Sequence, residues 1–213
     1  MDKKEMIEAI SDKDFDVDQF VKLAVLDENA REEIVNQMVT NKDIMVYYHC
    51  YYVVSKASKK QPELFYKYWD EIAKLLNHEN SYHRNFALSI IGNLTKVDGE
   101  ERFLKINGDY FELINDKKFS TGQCCLQNSI KIYKHKPELR DQIIVLLLDI
   151  DNRCNYTDKQ MGLLKCDVLE IFDKIYKDIH ERDEINEFIR VETTNISPKT
   201  RNKAKELVQK YGL

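Results

Sequence analysis

The chain has little glycine and little proline: six and three residues out of 213, far below average usages of roughly 7% and 5%. This scarcity excludes collagen-like and Gly/Ser-linker sequences. It also disfavours a β-sandwich, whose many short strands need frequent turn residues. Charged residues make up 33% of the chain and apolar residues 43%. Few helix breakers among many Lys, Glu, Leu and Ile residues predict an all-α protein.

Signals for export, membrane insertion and metal binding are also missing. The five cysteines are an odd number, and no CxxC or HxxxH spacing occurs. Residues 1–5 lack the basic-then-apolar layout of a signal peptide. The longest apolar run, residues 143–148, falls far short of the ~20 residues that span a bilayer. We therefore expect reduced thiols, no metal, no membrane span and a cytoplasmic location.

No catalytic motif is present: the chain has no P-loop, nucleophile elbow, dinucleotide fingerprint or kinase signature. His49 lies among aromatic residues, where a core histidine is the simpler interpretation. His78 and His83 are five residues apart, which does not match a helical zinc site. Cys124 and Cys125 fit helix packing better than a reactive thiol. The sequence predicts no catalytic residue and no cofactor.

Helix-start signals recur at a nearly constant interval. Capping residues spaced 37 to 40 residues apart precede helical stretches at Asn41, Ser81, Ser120, Thr157 and Ser197. Between them, Pro62 and Pro137 begin a second series. Each repeat of about 39 residues therefore holds two helices, A and B. Stacked pairs of such helices would bury a continuous core. A non-repetitive bundle with regular helix lengths remains the alternative.

The B helices align in two apolar columns, which we expect to face the core because they lie one turn apart. The first column is Tyr48, Ala87, Leu126, Leu164 and Ala204. The second is Tyr52, Ile91, Ile130, Val168 and Val208.

Residues 72–94 resemble the HEAT-repeat pattern. Arg84, Ala87, Ile91 and Gly92 occupy the places of the family's Arg, Ala and apolar–Gly step, whereas His78 stands where its turn Asp would fall. The resemblance implies an α-α superhelix of about five HEAT/armadillo-like helix pairs, and it implies no particular activity.

We expect a single domain over residues 1–213. Residues 1–27 would form N-terminal capping helices, 28–196 the repeats and 197–213 a C-terminal capping helix.

In this family the B helices line the concave surface. A helical wheel with Ala87 toward the core predicts a shallow groove for a protein or peptide. The candidate partner-binding residues are Tyr82, Asn85, Ser89, Asn93, Thr121, Asn128, Lys131, His135 and Glu170. Plain solvent-facing positions are the alternative. The predicted function is a non-catalytic scaffold.

Residues 44–54 are apolar or aromatic on every side of the helix that they predict. Either the N-terminal helices cover this helix, or it presents a tyrosine-rich patch to a partner.

The second candidate function is nucleic-acid binding. Alkylpurine DNA glycosylases are built on HEAT-like repeats of about this length, and they need a basic groove with aromatic residues. This chain offers Trp69 beside Asp70 and a basic tail over residues 199–205, but its net charge is −4. Another family with HEAT-like units, the lyases that attach bilin pigments, is an alternative for this chain only by analogy of fold.

Overall fold

A computed structural model describes residues 2–213, and these residues are almost entirely helical, without a strand. The all-α class that the composition predicts is confirmed. The α-helices are α1 Lys3–Ser11, α2 Val17–Leu26, α3 Glu28–Thr40, α4 Ile44–Lys60, α5 Trp69–Lys74, α6 Ser81–Leu94, α7 Arg102–Glu112, α8 Phe119–His135, α9 Arg140–Leu148, α10 Ile150–Arg153, α11 Asp158–Ile175, α12 Asp183–Val191 and α13 Pro198–Tyr211. Short 3-10 helices cover Pro62–Leu64, Tyr66–Tyr68, Leu75–Asn77, Thr95–Val97, Leu113–Asn115, Pro137–Leu139, Tyr176–Asp178 and Glu192–Thr194.

The chain packs as two compact units, the first ending at Tyr110 and the second spanning Phe111–Leu213. Each unit has its own buried apolar core. Large buried side chains of the first unit include Ile34, Phe65, Trp69, Phe86 and Phe103. Those of the second include Leu126, Tyr133, Leu164 and Phe172. The single domain over residues 1–213 stays a prediction.

Two of the predicted helix starts are also the observed caps. The Thr157 side chain accepts a hydrogen bond from the Gln160 N–H, and the Gln160 side chain bonds back to the Thr157 backbone, which is a capping box. The Ser197 side chain accepts from the Thr200 N–H. Each cap satisfies one of the N–H groups that the first helical turn leaves without a partner.

Three predicted starts are displaced. Asp43 caps α4, while the Asn41 side chain accepts the Asp43 N–H at 2.8 Å. Asn80 caps α6 in place of its neighbour Ser81, accepting the N–H of Tyr82. Ser120 lies inside the first turn of α8, whose N-terminus has no side-chain cap. Where several capping residues stand close together, spacing alone does not decide which of them caps the helix.

The A helix that Pro62 is predicted to begin is a series of short 3-10 and α segments over residues 62–77. Pro62, Phe65 and Tyr68 are all buried at a spacing of three residues. Side chains at that spacing eclipse one another in a 3-10 helix, so this geometry brings all three to one side. By contrast, α7 runs through Gly108 without a break. A single glycine costs a helix only about 1 kcal/mol.

The arginine of the HEAT-like motif bonds to the turn that precedes its helix. Arg84 is buried and donates from Nη1 to the carbonyl oxygens of His78 and Glu79, at 2.7 and 2.9 Å. Arg201, which the repeat alignment places at the equivalent position, donates to two carbonyls six and five residues before it, at 2.7 and 3.0 Å. Both arginines satisfy carbonyl groups where the chain turns between helices.

Hydrogen bonds between elements of the same unit recur at a sequence separation close to 39 residues. The pairs are His49–Ile10 (39), Tyr51–Ser89 (38), Asn93–Ser55 (38), Asn155–Asn115 (40), Thr200–Gly162 (38) and Tyr211–Asp173 (38). The packing therefore brings together residues that lie one predicted repeat apart.

The last helix, α13, is fastened to α11 through one carboxylate. Asp173 accepts hydrogen bonds from Lys203 at 3.0 Å, Lys210 at 2.6 Å and the Tyr211 hydroxyl at 2.6 Å. Burial alone would raise the pKa of Asp173, but the bonds from Lys210, Tyr211 and Lys203 together lower it to about 2. Asp173 is therefore ionised at neutral pH, and it is paired with Lys203 of the basic tail and with Lys210 near the end of α13.

None of the helices in residues 2–213 has both the length and the apolar character that crossing a membrane requires.

Candidate functional site: a tyrosine patch on α4 and α6

One side of the tyrosine-rich helix α4 is covered by the N-terminal helices. α1, α2 and α3 all pack against it, and Val46, Cys50 and Val53 are buried there. The His49 ring stacks on Phe15 at 4.2 Å between ring centroids, and its Nδ1 lies 2.6 Å from the carbonyl oxygen of Ile10. His49 is thus a structural histidine on the covered side of α4.

The other side of α4 remains exposed and continues onto α6. Tyr52 is 45% exposed and Tyr82, in the first turn of α6, is 42% exposed. Ile44 and Met45 are also exposed at the start of α4, and Tyr48 is partly exposed between them and Tyr52. We call the surface formed by Ile44, Met45, Tyr48, Tyr52 and Tyr82 the tyrosine patch.

Aromatic contacts hold the patch in place. The Tyr48 ring meets Tyr52 at 5.1 Å, Tyr82 at 5.3 Å and Phe86 at 5.5 Å between centroids, each edge to face. Tyr51 stacks on the buried Phe86 at 4.1 Å, and its hydroxyl donates to Ser89 at 3.2 Å. Edge-to-face pairs of this kind contribute about 0.5–1.5 kcal/mol beyond burial. The exposed rings therefore rest on a fixed aromatic base.

The patch is uncharged at physiological pH. Burial, and after it the neighbouring Tyr52, raises the pKa of Tyr48 to about 12. Its hydroxyl therefore stays protonated and can donate a hydrogen bond. A rigid ring with a polar edge is a favoured kind of contact residue at protein interfaces.

The prediction of which face of α4 is buried is wrong. The alignment placed Tyr48 and Tyr52 in columns that face the core, whereas the structure leaves both at least partly exposed and buries Val46, Cys50 and Val54 instead. α1, α2, α3 and α6 all pack against α4, and together they determine which of its faces are buried. Tyr82 is the one predicted partner-binding residue that belongs to the tyrosine patch.

In α6, most of the other predicted contact residues point inward. Ser89 and Asn93 are buried, and the Asn93 side-chain amide donates to the Ser55 carbonyl and the Ser58 hydroxyl at 3.1 and 3.0 Å. Asn85 is half-buried. These amides and hydroxyls stabilise the packing of α4 on α6.

The predicted contact residues of the second unit are also mostly enclosed. Thr121 and Asn128 are buried, and the Asn128 side chain donates to a carbonyl of its own helix at 2.8 Å. Lys131 and His135 are half-buried. Glu170 is half-buried and pairs with a lysine of α13 at 3.4 Å. A role of these residues in partner binding stays a prediction.

The titratable side chains singled out by the sequence lie in structural environments. No group of three or more His, Cys, Asp or Glu side chains in residues 2–213 is placed to hold a metal ion. Burial raises the pKa of the Cys125 thiol well above its ordinary value, so it is not an activated nucleophile. His78 and His83 stack at 4.3 Å, and burial lowers the pKa of His83.

The features that favour nucleic-acid binding are engaged within the fold. Trp69 is buried and cannot stack on a base. In the basic tail, Lys199 pairs with Glu170, Lys203 pairs with Asp173, and Arg201 bonds to backbone carbonyls. Cations already paired with carboxylates contribute little to phosphate binding.

Comparison of the chain with protein-family models, with curated proteins and with solved structures found no match.

Proposed function

We propose that the chain is a HEAT-like α-solenoid without a catalytic role that binds a protein partner through the tyrosine patch. The patch is the observation that carries the proposal. It combines exposed aromatic and aliphatic side chains with a fixed aromatic base, and it carries no ionised group. Exposed tyrosine clusters of this kind are typical of interface hot spots.

Two observations support the solenoid. Hydrogen bonds within each unit join residues about 39 positions apart, as stacked helix pairs would. Arg84 and Arg201 make the same kind of bond to the turn before their helices. Under this proposal about five pairs repeat along the chain, and α4 and α6 are the B helices of the first two.

The proposed partner presents an apolar helix or strand to the patch. Tyr52 and Tyr82 would bury their rings against it, and their hydroxyls would bond to polar groups at its edge. A nucleic acid is disfavoured, because the patch itself offers no cation to a phosphate.

The proposal is tested by affinity capture of the full chain and of Tyr52→Ser/Tyr82→Ser from its native cell extract. A matched control, Leu26→Ser/Val191→Ser, removes two exposed apolar side chains outside the patch. We expect one stoichiometric protein that survives nuclease treatment and raised salt with the parent chain and the control, but not with the tyrosine variant. Circular dichroism melts show whether all three proteins are folded.

Retention of the same protein by the tyrosine double variant would contradict the proposal. Loss of all captured material after nuclease treatment would favour the nucleic-acid alternative.

A further inference from the structure

A cleft on the second unit is lined on one side by apolar side chains. It has a volume of about 860 Å³ and lies between α9 and the segment of residues 178–185. Ile144, Val145 and Leu148 line it from α9, and Val145 is 56% exposed. An exposed aliphatic side chain that lines a cleft is a suitable contact for an apolar group of a partner.

The rim of this cleft is rich in carboxylates. All of them belong to exposed residues, and within residues 2–213 none forms an ion pair. These residues are Asp141, Asp178, Glu181, Asp183 and Glu184.

Two arginines also line the cleft and offset part of this negative charge, which leaves an excess of three carboxylates over arginines. Arg140 donates from Nε to the Tyr133 carbonyl at 3.1 Å, and its guanidinium lies 5.2 Å from the Tyr133 ring centroid. Arg182 donates from Nε to the Ile179 carbonyl at 2.7 Å and lies 4.8 Å from the Tyr176 ring. Both cations are therefore held against carbonyls and aromatic rings of their own unit, while the carboxylates face solvent.

We propose that this cleft binds a basic, amphipathic helical segment of another protein. Lysines or arginines of the segment would pair with the carboxylate rim, and an apolar side chain would contact Val145. This site lies on the other unit from the tyrosine patch and does not depend on the function proposed for that patch.

Charge complementarity favours a basic segment as the occupant of the cleft. With five carboxylates against two arginines, the cleft lining carries a net negative charge that repels nucleic acid and anionic lipid. A second copy of this chain would have to supply free cations. Of the cations of α13, Lys203 and Lys210 are already bound to Asp173.

The probe is a fluorescein-labelled peptide of about 15 residues, made of Lys, Leu and Ala with leucines at helical spacing. Fluorescence anisotropy measures its affinity for the full chain. We expect Val145→Ser to weaken binding about tenfold and Val191→Ser to change it less than about twofold. Val191 is the matched control, because it is also a valine of the second unit, is 56% exposed and lies outside the cleft.

A second pair of variants tests the rim. Asp178→Asn/Glu181→Gln should weaken binding about tenfold, because these two carboxylates line the cleft between the end of α11 and the start of α12 and their loss removes charge from it. Asp158→Asn/Glu112→Gln removes the same charge from exposed positions that do not line the cleft, and it should have little effect. A peptide with Glu in place of Lys should not bind.

Three results would overturn the proposal. Equal affinities of the two valine variants would mean that no apolar side chain enters the cleft. Equal affinities of the two charge variants would mean non-specific attraction to an acidic protein. A dimer of the free protein that Val145→Ser dissociates would assign the cleft to a second copy of this chain.

Discussion

The stacked pair of His78 and His83 gives the first unit a pH-dependent stability. His83 is buried, its ring lies 4.3 Å from that of His78, and no hydrogen-bond partner for its Nδ1 occurs among residues 2–213. Burial, and after it the nearby His78, lowers the pKa of His83 below its ordinary 6.5. The folded chain therefore takes up this proton less readily than the unfolded chain.

The sign of the effect follows from the proton uptake. Above about pH 6.5 both states leave this imidazole neutral, so it makes no pH-dependent contribution. Below about pH 6.5 the unfolded chain binds the proton first, and the free energy of unfolding falls until the pH reaches the lower pKa of the folded state.

We expect the parent chain to lose up to about 1 kcal/mol more than His83→Gln between pH 7.5 and pH 5.5, as measured by urea unfolding. His180→Gln, at an exposed position, is the control and should behave like the parent chain. If the free energies of unfolding of the parent chain and of His83→Gln change in parallel with pH, protonation of His83 does not contribute to the pH dependence of stability.

At the scale of helices, α8 is fixed by a contact that only glycine allows. A Cβ atom on Gly122 would lie 2.5 Å from the carbonyl oxygen of Ile114 and would also clash with the Tyr156 hydroxyl. That hydroxyl donates to the carbonyls of Ile114 and Asp116, at 3.1 and 2.8 Å. The close approach of α8 to the preceding turn therefore requires a residue without a side chain.

We expect Gly122→Ala to lower the free energy of unfolding by about 1–3 kcal/mol, because backbone atoms must shift. Gly108→Ala in α7 is the matched control, since its Cβ would meet nothing within 4 Å. It should raise stability by about 0.5–1 kcal/mol through helix propensity. Calorimetric melts of both variants check the prediction, and a rise in Tm for Gly122→Ala would contradict it.

The sequence predicts the helices and several of their caps well, but it does not predict which helix faces are buried. The helices and several caps follow from local signals such as Thr157 and Ser197. The buried face of α4 does not, because a tyrosine ring satisfies a hydrophobic pattern whether it is buried or half-exposed. In α6 nearly every residue is buried, so a helical wheel anchored on Ala87 has no free face to identify. Ser89 and Asn93 have the polar side chains that are typical of surface residues, but the packing of α4 against α6 buries them.

At the scale of the whole molecule, the net charge of −4 and the repeat spacing are the basis for predicting a scaffold, but they do not identify its binding surfaces. The tyrosine patch on one unit and the acidic cleft on the other depend on which residues the packing leaves uncovered. Tertiary contacts decide this, and they join residues that are far apart in the chain, such as Tyr51 and Ser89.

The most direct measurement is photo-crosslinking in cells. A photoreactive phenylalanine analogue replaces Tyr52 or Tyr82 in the patch, or Lys22 or Val191 at exposed positions outside it. We expect both patch positions to crosslink to the same protein, with no change after nuclease treatment, and the two control positions not to crosslink to it. Crosslinks to the same proteins from all four positions, or to nucleic acid alone, would contradict the claim that the tyrosine patch is a protein-binding surface.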